Sequence, residues 1–170
     1  MKFTYCPNCG RKLITKPIGD EGEIPWCEGC GRPWFSFSYP CVICLLTDGA
    51  GNYALIQQTY ATKNYVCVAG FIKEQETAEQ TALREISEET GLKALDIRYV
   101  GSWYYPKHDN LMLGYVCRVE RGEFHLSENE VRNAGWFDKN TARELLKESS
   151  LAGKLLEKWL EIQSEEQSET

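Results

Sequence analysis

Three carboxylates stand within five residues, at Glu85, Glu88 and Glu89. On a helix the spacing i, i+3, i+4 projects all three from one face. Like charges so placed repel by a few tenths of a kcal/mol per pair. A hard divalent cation such as Mg²⁺ or Mn²⁺ would relieve that repulsion, because it takes oxygen ligands and shares them with substrate phosphates. Glu76 and Arg84 flank the cluster. The competing reading is a solvated acidic helix face. A second constellation lies near the N-terminus. Cys6-x-x-Cys9 and Cys27-x-x-Cys30 are each preceded by an aromatic residue, Tyr5 and Trp26, and followed by a glycine, Gly10 and Gly31. Two such knuckles this close are the pattern of a tetrahedral Cys₄ zinc site. A redox dithiol or a disulfide pair is the alternative.

The elements that must position these groups can be read locally. Thr77 with Gln80 forms a capping box, so a helix is predicted from Ala78. Gly91 is its left-handed stop. Ala82, Leu83 and Ile86 give the helix an apolar stripe. Pro17, Gly19, Asp20 and Gly22 mark a turn between the cysteine knuckles, and Trp34, Phe35, Phe37 and Tyr39 form an aromatic connector. Such a connector packs on the next domain or meets a partner. Strands are predicted over Cys41–Leu46, Tyr53–Gln58, Tyr65–Ala69, Ile97–Trp103, Leu111–Val119 and Trp136–Phe137, with a turn at Asp48–Asn52. Helices are predicted over Thr141–Lys147 and Leu151–Ile162, and residues 163–170 are expected to fray. Cys41 and Cys44 make a third C-x-x-C, but strand residues three apart face opposite sides and cannot share an ion. Cys67 and Cys117 lie in apolar runs and are expected to be buried thiols.

The 170 residues allow one ordinary domain plus a small module, and a hydrophobic fraction of 42% is enough for a core. The expected division is a zinc ribbon over 1–36, a catalytic domain over 37–165 and a disordered tail over 166–170. Strands around one long helix, followed by C-terminal helices, indicate an α+β fold, an α/β/α sandwich on a mixed sheet. No apolar run approaches a membrane span. The N-terminus has no secretory core, so the expectation is a cytoplasmic protein with no membrane partner. A net charge of −6 argues against loose nucleic-acid binding through a basic surface. The ribbon, whose Lys2, Arg11, Lys12 and Lys16 are offset by Asp20, Glu21, Glu23 and Glu28, is expected to be structural.

The whole stretch adds a further constraint. Gly70, five residues, Glu76, seven residues, Arg84-Glu85, Ile86, one residue, Glu88-Glu89, one residue, Gly91 and Leu92 resembles the Nudix box at every fixed position. The resemblance implies a hydrolase that cleaves a nucleoside diphosphate linked to another moiety. Glu85, Glu88 and Glu89 would hold Mg²⁺ or Mn²⁺, and Arg84 and Glu76 would join loop to helix. One of Glu88, Glu89 and Glu130 would take the proton of the attacking water. Glu130 stands six residues before Trp136, where the family has a glutamate that assists metal or water.

A ribbon directly before this domain, with Ala69-Gly70-Phe71 leading into the box, resembles the NADH pyrophosphatase group, whose members include enzymes that remove NAD caps from RNA. In the group's signature segment after the box, Ser102, Pro106 and Leu111-Met112 agree, and Tyr105 stands for a tryptophan. The segment otherwise differs, so ADP-ribose or a nucleotide sugar remains an alternative to NADH or NAD. The resemblance places Phe71 and Tyr105 against the base, with Ala69 beside them. It implies a homodimer in which Tyr39 reaches the neighbouring subunit's site. His108 is a candidate phosphate contact. Two rivals are a nucleotide-sensing regulator without catalysis and a zinc-ribbon nucleic-acid adaptor.

Overall fold

The computed structural model describes residues 2–60 and 63–168. The chain divides into two compact units, residues 1–39 and 40–170. The division falls three residues later than the expected 36/37 boundary. The Phe37 ring packs edge-on against Tyr39, the last residue of the first unit, at 5.8 Å.

The first unit is a three-stranded antiparallel sheet, β1 (Ile14–Pro17), β2 (Glu23–Cys27) and β3 (Arg32–Pro33), in the order β1-β2-β3. Gly10 and Gly31 adopt φ of 70° and 65° directly after each C-x-x-C, a turn that costs glycine little. Their N–H groups donate to the Cys6 and Cys27 carbonyls at 2.8 Å. The connector's first cover comes from its own unit. Phe3 packs on Trp34 and Phe37 at 5.7 and 5.6 Å. Phe35 and Phe37 remain nearly half exposed.

β4 (Tyr39–Thr47) starts on the last residue of the first unit and runs into the second, which also contains β5 (Asn52–Gln58), β6 (Val68–Phe71), α1 (Ala78–Thr90), β7 (Ala94–Tyr105), β8 (Asn110–Val119), β9 (Val131–Asp138), α2 (Lys139–Leu146) and α3 (Leu151–Ser168). The sheet runs β7-β8-β4-β5-β9, with β6 also on β4. β5 pairs with the C-terminal end of β4, at Leu46↔Ala54, and β6 with its N-terminal half, at Val42↔Gly70. Strand alternation then makes two cores. Val42, Cys44, Leu46, Ile56 and Val68 meet Ala82 and Ile86 of α1 on one face. Cys41, Ile43, Leu45, Leu55 and Cys67 meet Ala142, Leu146, Leu155 and Leu156 of α2 and α3 on the other. Cys41 and Cys44 thus face opposite sides, and Cys67 and Cys117 are buried.

Three expectations are corrected. Leu83 is exposed rather than part of the α1 stripe, because Glu85 and Glu89 turn inward beside Ala82 and Ile86. β9 begins at Val131, since its pairing with β5 extends well before Trp136. α3 continues through Ser168 instead of fraying from 163 or becoming a tail at 166. Glu166 lies 2.7 Å from Arg98 on β7. Residues 169 and 170 lie outside the described residues.

Candidate functional site

The predicted capping box sets where α1 begins. The Thr77 hydroxyl accepts from Gln80 N at 3.2 Å, and the Gln80 side chain accepts from Thr77 N at 2.9 Å. Gly91 ends the helix at φ 69°. Between them the helix packs close against β6. A Cβ at Gly70 would stand 1.9 Å from Glu85 Oε1, so no larger residue fits where Glu85 approaches the strand.

Arg84 joins loop, strand and helix. Its Nε and Nη2 donate to the two oxygens of Glu76 at 2.7 and 2.9 Å. Its Nη2 also reaches the Phe71 carbonyl at 3.2 Å. Its Nη1 donates to Glu85 at 2.6 Å and to Glu88 at 3.0 Å. Glu76 further accepts from Thr81 Oγ1 at 2.9 Å and Lys73 N at 3.2 Å. The Arg84 guanidinium, assisted by Thr81 and the Lys73 N–H, holds the Glu76 carboxyl down to about 2.

The three glutamates of the cluster do not share one environment. Glu88 is half exposed. Glu85 and Glu89 are buried, with Glu89 only 2% accessible. Burial raises the Glu85 carboxyl against the pull of Arg84. Burial, then the charges of Glu85 and Glu130, push Glu89 up to about 8, against a hydrogen bond from the Ala69 backbone. Glu89 Oε2 is buried without a hydrogen-bond partner. The solvated-face reading fails for these two residues.

Glu130, from the loop before β9, is exposed but close enough in charge to act on both Glu85 and Glu89. Its loop is fastened to the end of β5. Thr59 N donates to the Glu130 carbonyl at 2.8 Å, Thr59 Oγ1 to the Asn129 carbonyl at 2.6 Å, and Arg132 to the Gln58 and Thr59 carbonyls at 3.2 and 2.9 Å. Tyr60 follows directly. Burial and then the charges of Glu89, Glu130 and Glu85 raise its phenol. Tyr60 is absent from the sequence-based site. The only local signal was an aromatic residue just past a strand end.

This donor set suits a hard cation, which would give the unpartnered Glu89 oxygen a ligand role and offset the crowded negative charge. The oxygens are not drawn to a single point. Among the described residues, three or more ligand atoms lie within 4.8 Å of one another only in the cysteine quartet. Glu88 would have to turn from Arg84 to join Glu85 and Glu89 around one ion.

Ala69 and Tyr105 line one cavity of about 630 Å³ with Tyr65, Asn64, Pro106 and Lys147. Its walls come from β6, the β7–β8 turn and the α2–α3 turn, segments far apart in sequence. Phe71 is 57% exposed at the end of β6, and Tyr39 lies in the first unit. Neither lines this cavity. His108 packs on Tyr105 at 5.6 Å. In the first unit the four sulfurs of Cys6, Cys9, Cys27 and Cys30 gather within 4.8 Å. Cys6 and Cys30 are 3.8 Å apart, and Cys9 and Cys27 are 3.5 Å apart. Four sulfurs in this arrangement could hold one tetrahedral metal ion.

Comparison with known proteins places these features. The NUDIX domain model matches residues 38–159. An NAD-capped RNA hydrolase NudC of Pseudomonas aeruginosa (strain LESB58) is 29% identical over 156 residues, covering 92% of this chain and 55% of that protein. One of Pasteurella multocida (strain Pm70) is 32% identical over 168 residues, covering 96% of this chain and 62% of that protein. The chain thus spans little more than half the length of these relatives. Among solved structures, a NUDIX hydrolase from Nitrosomonas europaea superposes with a TM-score of 0.67 at 20% identity, over 89% of this chain and 84% of that one. The NUDIX domain of Shewanella oneidensis NrtR, complexed with ADP ribose, gives 0.65 at 17%, over 80% and 92%. At those identities the structures speak to the fold, and they agree with helices on both faces of a mixed sheet. A match that begins at the end of the ribbon unit, runs into α3 and takes in Gly70, Glu76, Arg84 and the three glutamates shows that this chain belongs to the NUDIX domain family.

Proposed function

We propose that this chain is a metal-dependent diphosphatase acting on a nucleoside diphosphate linked to another group. Its proposed substrate is a dinucleotide such as NADH or NAD, free or as the cap of an RNA. The observation that carries the reading is Glu89, a carboxylate buried to 2% exposure with one oxygen unpartnered, beside Glu85. The names of the relatives support the substrate class.

Glu85 and Glu89, joined by Glu88, are the proposed ligands for Mg²⁺ or Mn²⁺. When bound, the ion offsets charge on the phosphate oxygens and lowers the pKa of a water. One of Glu88, Glu89 and Glu130 would accept the proton of the attacking water. Arg84 holds Glu85 in place while Glu76 anchors Arg84. Ala69 and Tyr105 orient the nucleoside end in the 630 Å³ cavity, and Phe71 offers an exposed ring for the base. The cysteine quartet holds a structural Zn²⁺. No helix among the described residues is long and apolar enough to cross a membrane. A sulfur cluster and buried thiols fit a reducing, cytoplasmic compartment. The nearly half-exposed Phe35 and Phe37 of the connector support a homodimer with Tyr39 near the partner's base pocket.

Hydrolysis of NADH should stop on chelation with EDTA and return with Mg²⁺ or Mn²⁺. Glu88→Gln and Glu89→Gln should each lower kcat at least ~10²-fold. Near-normal turnover in both would refute the assignment, and faster turnover of ADP-ribose than of NADH or NAD would move the substrate to the alternative class. Elemental analysis should find about one zinc per chain, lost in Cys6→Ser or Cys27→Ser with loss of ribbon stability. Zinc-free protein with Cys6 and Cys27 in disulfides would contradict the structural-metal reading. Light scattering should give a dimer, and Tyr39→Ala should raise KM more than it lowers kcat. A monomer with unchanged KM would show that the connector serves its own unit only.

A further inference from the structure

A second and larger cavity, of about 720 Å³, lies at the other end of β4. Its walls include Thr47 and Gly49 of the β4–β5 hairpin, whereas Gly70 pairs with Val42 near the start of the strand. Thr47 is five positions along the strand from Val42, about 17 Å. Tyr53 and Val116 in its lining belong to the α2/α3 face of the sheet, opposite the face that carries the glutamates. The cavity is therefore remote from the proposed metal ligands, and it shares no lining residue with the 630 Å³ cavity on the same face.

Its charge runs against that of the molecule. The chain carries −6 overall, yet this lining holds Arg98, Arg118, Lys139 and Arg143 against Asp96 alone. Two of the cations are held by carboxylates outside the lining, Arg98 by Glu166 and Arg143 by Glu157. Arg118 and Lys139 form no ion pair among the described residues. Asp96 is the cross-strand neighbour of Arg118 but does not bridge to it. Arg118 is nonetheless placed. A Cβ at Gly49 would stand 3.2 Å from its Cδ, so the glycine leaves room for the arginine stem against the hairpin. Trp159 lines the same cavity under the Arg98 guanidinium, 5.6 Å from the ring centre. Concentrated cations with unused donors bind phosphoryl oxygens well. The volume suits a small organic molecule rather than a bare ion.

We propose that this cavity binds the phosphoryl group of a small organic phosphate, with Arg118 and Lys139 as the charged contacts. The site does not depend on the hydrolase reading and is tested without metal.

The full chain in EDTA is titrated with inorganic phosphate, adenosine monophosphate and adenosine, following arginine and lysine side-chain resonances by NMR. Saturable binding of the monophosphate at about 1 mM or tighter is expected, shifting Arg118 and Lys139. The Arg118→Gln/Lys139→Gln double variant should weaken it about 10-fold or more, and the exposed-charge control Lys93→Gln should not. Inorganic phosphate should shift the same two side chains. Four results would each overturn the proposal: no saturable binding, unchanged affinity in the double variant, an equal loss in Lys93→Gln, or adenosine binding as tightly as its monophosphate.

Discussion

Arg84 lies where the Glu76 loop, the end of β6 and two glutamates of α1 meet, and its five short contacts fix the arrangement around them. The arginine can do this because its planar guanidinium presents donors in several directions at once. Lysine at this position would supply charge without that geometry. Gly70 completes the fastening by letting Glu85 approach the strand where a Cβ would collide. The cost of the arrangement falls on Glu89. It is buried beside Glu85 with an oxygen unsatisfied, which a fold selected for stability alone would avoid. Such a residue supports the proposed ligand site.

The sheet explains how this polar cluster coexists with a dry core. β4 divides its edge between β5 and β6, so the short β6 carries Gly70 up against α1 while the rest of the sheet is covered by apolar contacts. The same strand pattern turns Ala69 to the opposite face, where the 630 Å³ cavity opens. Gly70, which makes room for Glu85, and Ala69, which lines the cavity, are thus adjacent residues of one strand facing opposite ways.

Helix α1 was legible because its limits are set locally, by the Thr77–Gln80 box and Gly91. The glutamate spacing was legible for the same reason. What the spacing could not show was which carboxylates are buried. Leu83 is the more apolar residue, yet it faces solvent while Glu85 and Glu89 turn inward, a reversal decided by Arg84 and Gly70 rather than by hydrophobicity. The knuckles predicted a sulfur cluster, and the cluster is there. The cavities were not legible, because their walls come from turns and helices tens of residues apart. Tyr60 and the Thr59–Arg132 fastening depend likewise on a contact between β5 and the loop before β9.

On the proposed function, Glu89 keeps its proton until a cation takes its place. Its folded carboxyl is raised from 4.5 to about 8. The metal-free fold therefore keeps this contribution in full below the ordinary carboxylate range and loses it as pH rises through about 8. Since a cation binds the ionised form, binding below that pH must expel the proton. Calorimetric titration of Mn²⁺ into metal-free protein, in buffers of different ionisation enthalpy, counts the protons released. Release of close to one proton per ion is expected at about pH 7, falling towards zero at about pH 9. No proton release at the lower pH, or the same release at both, would contradict it.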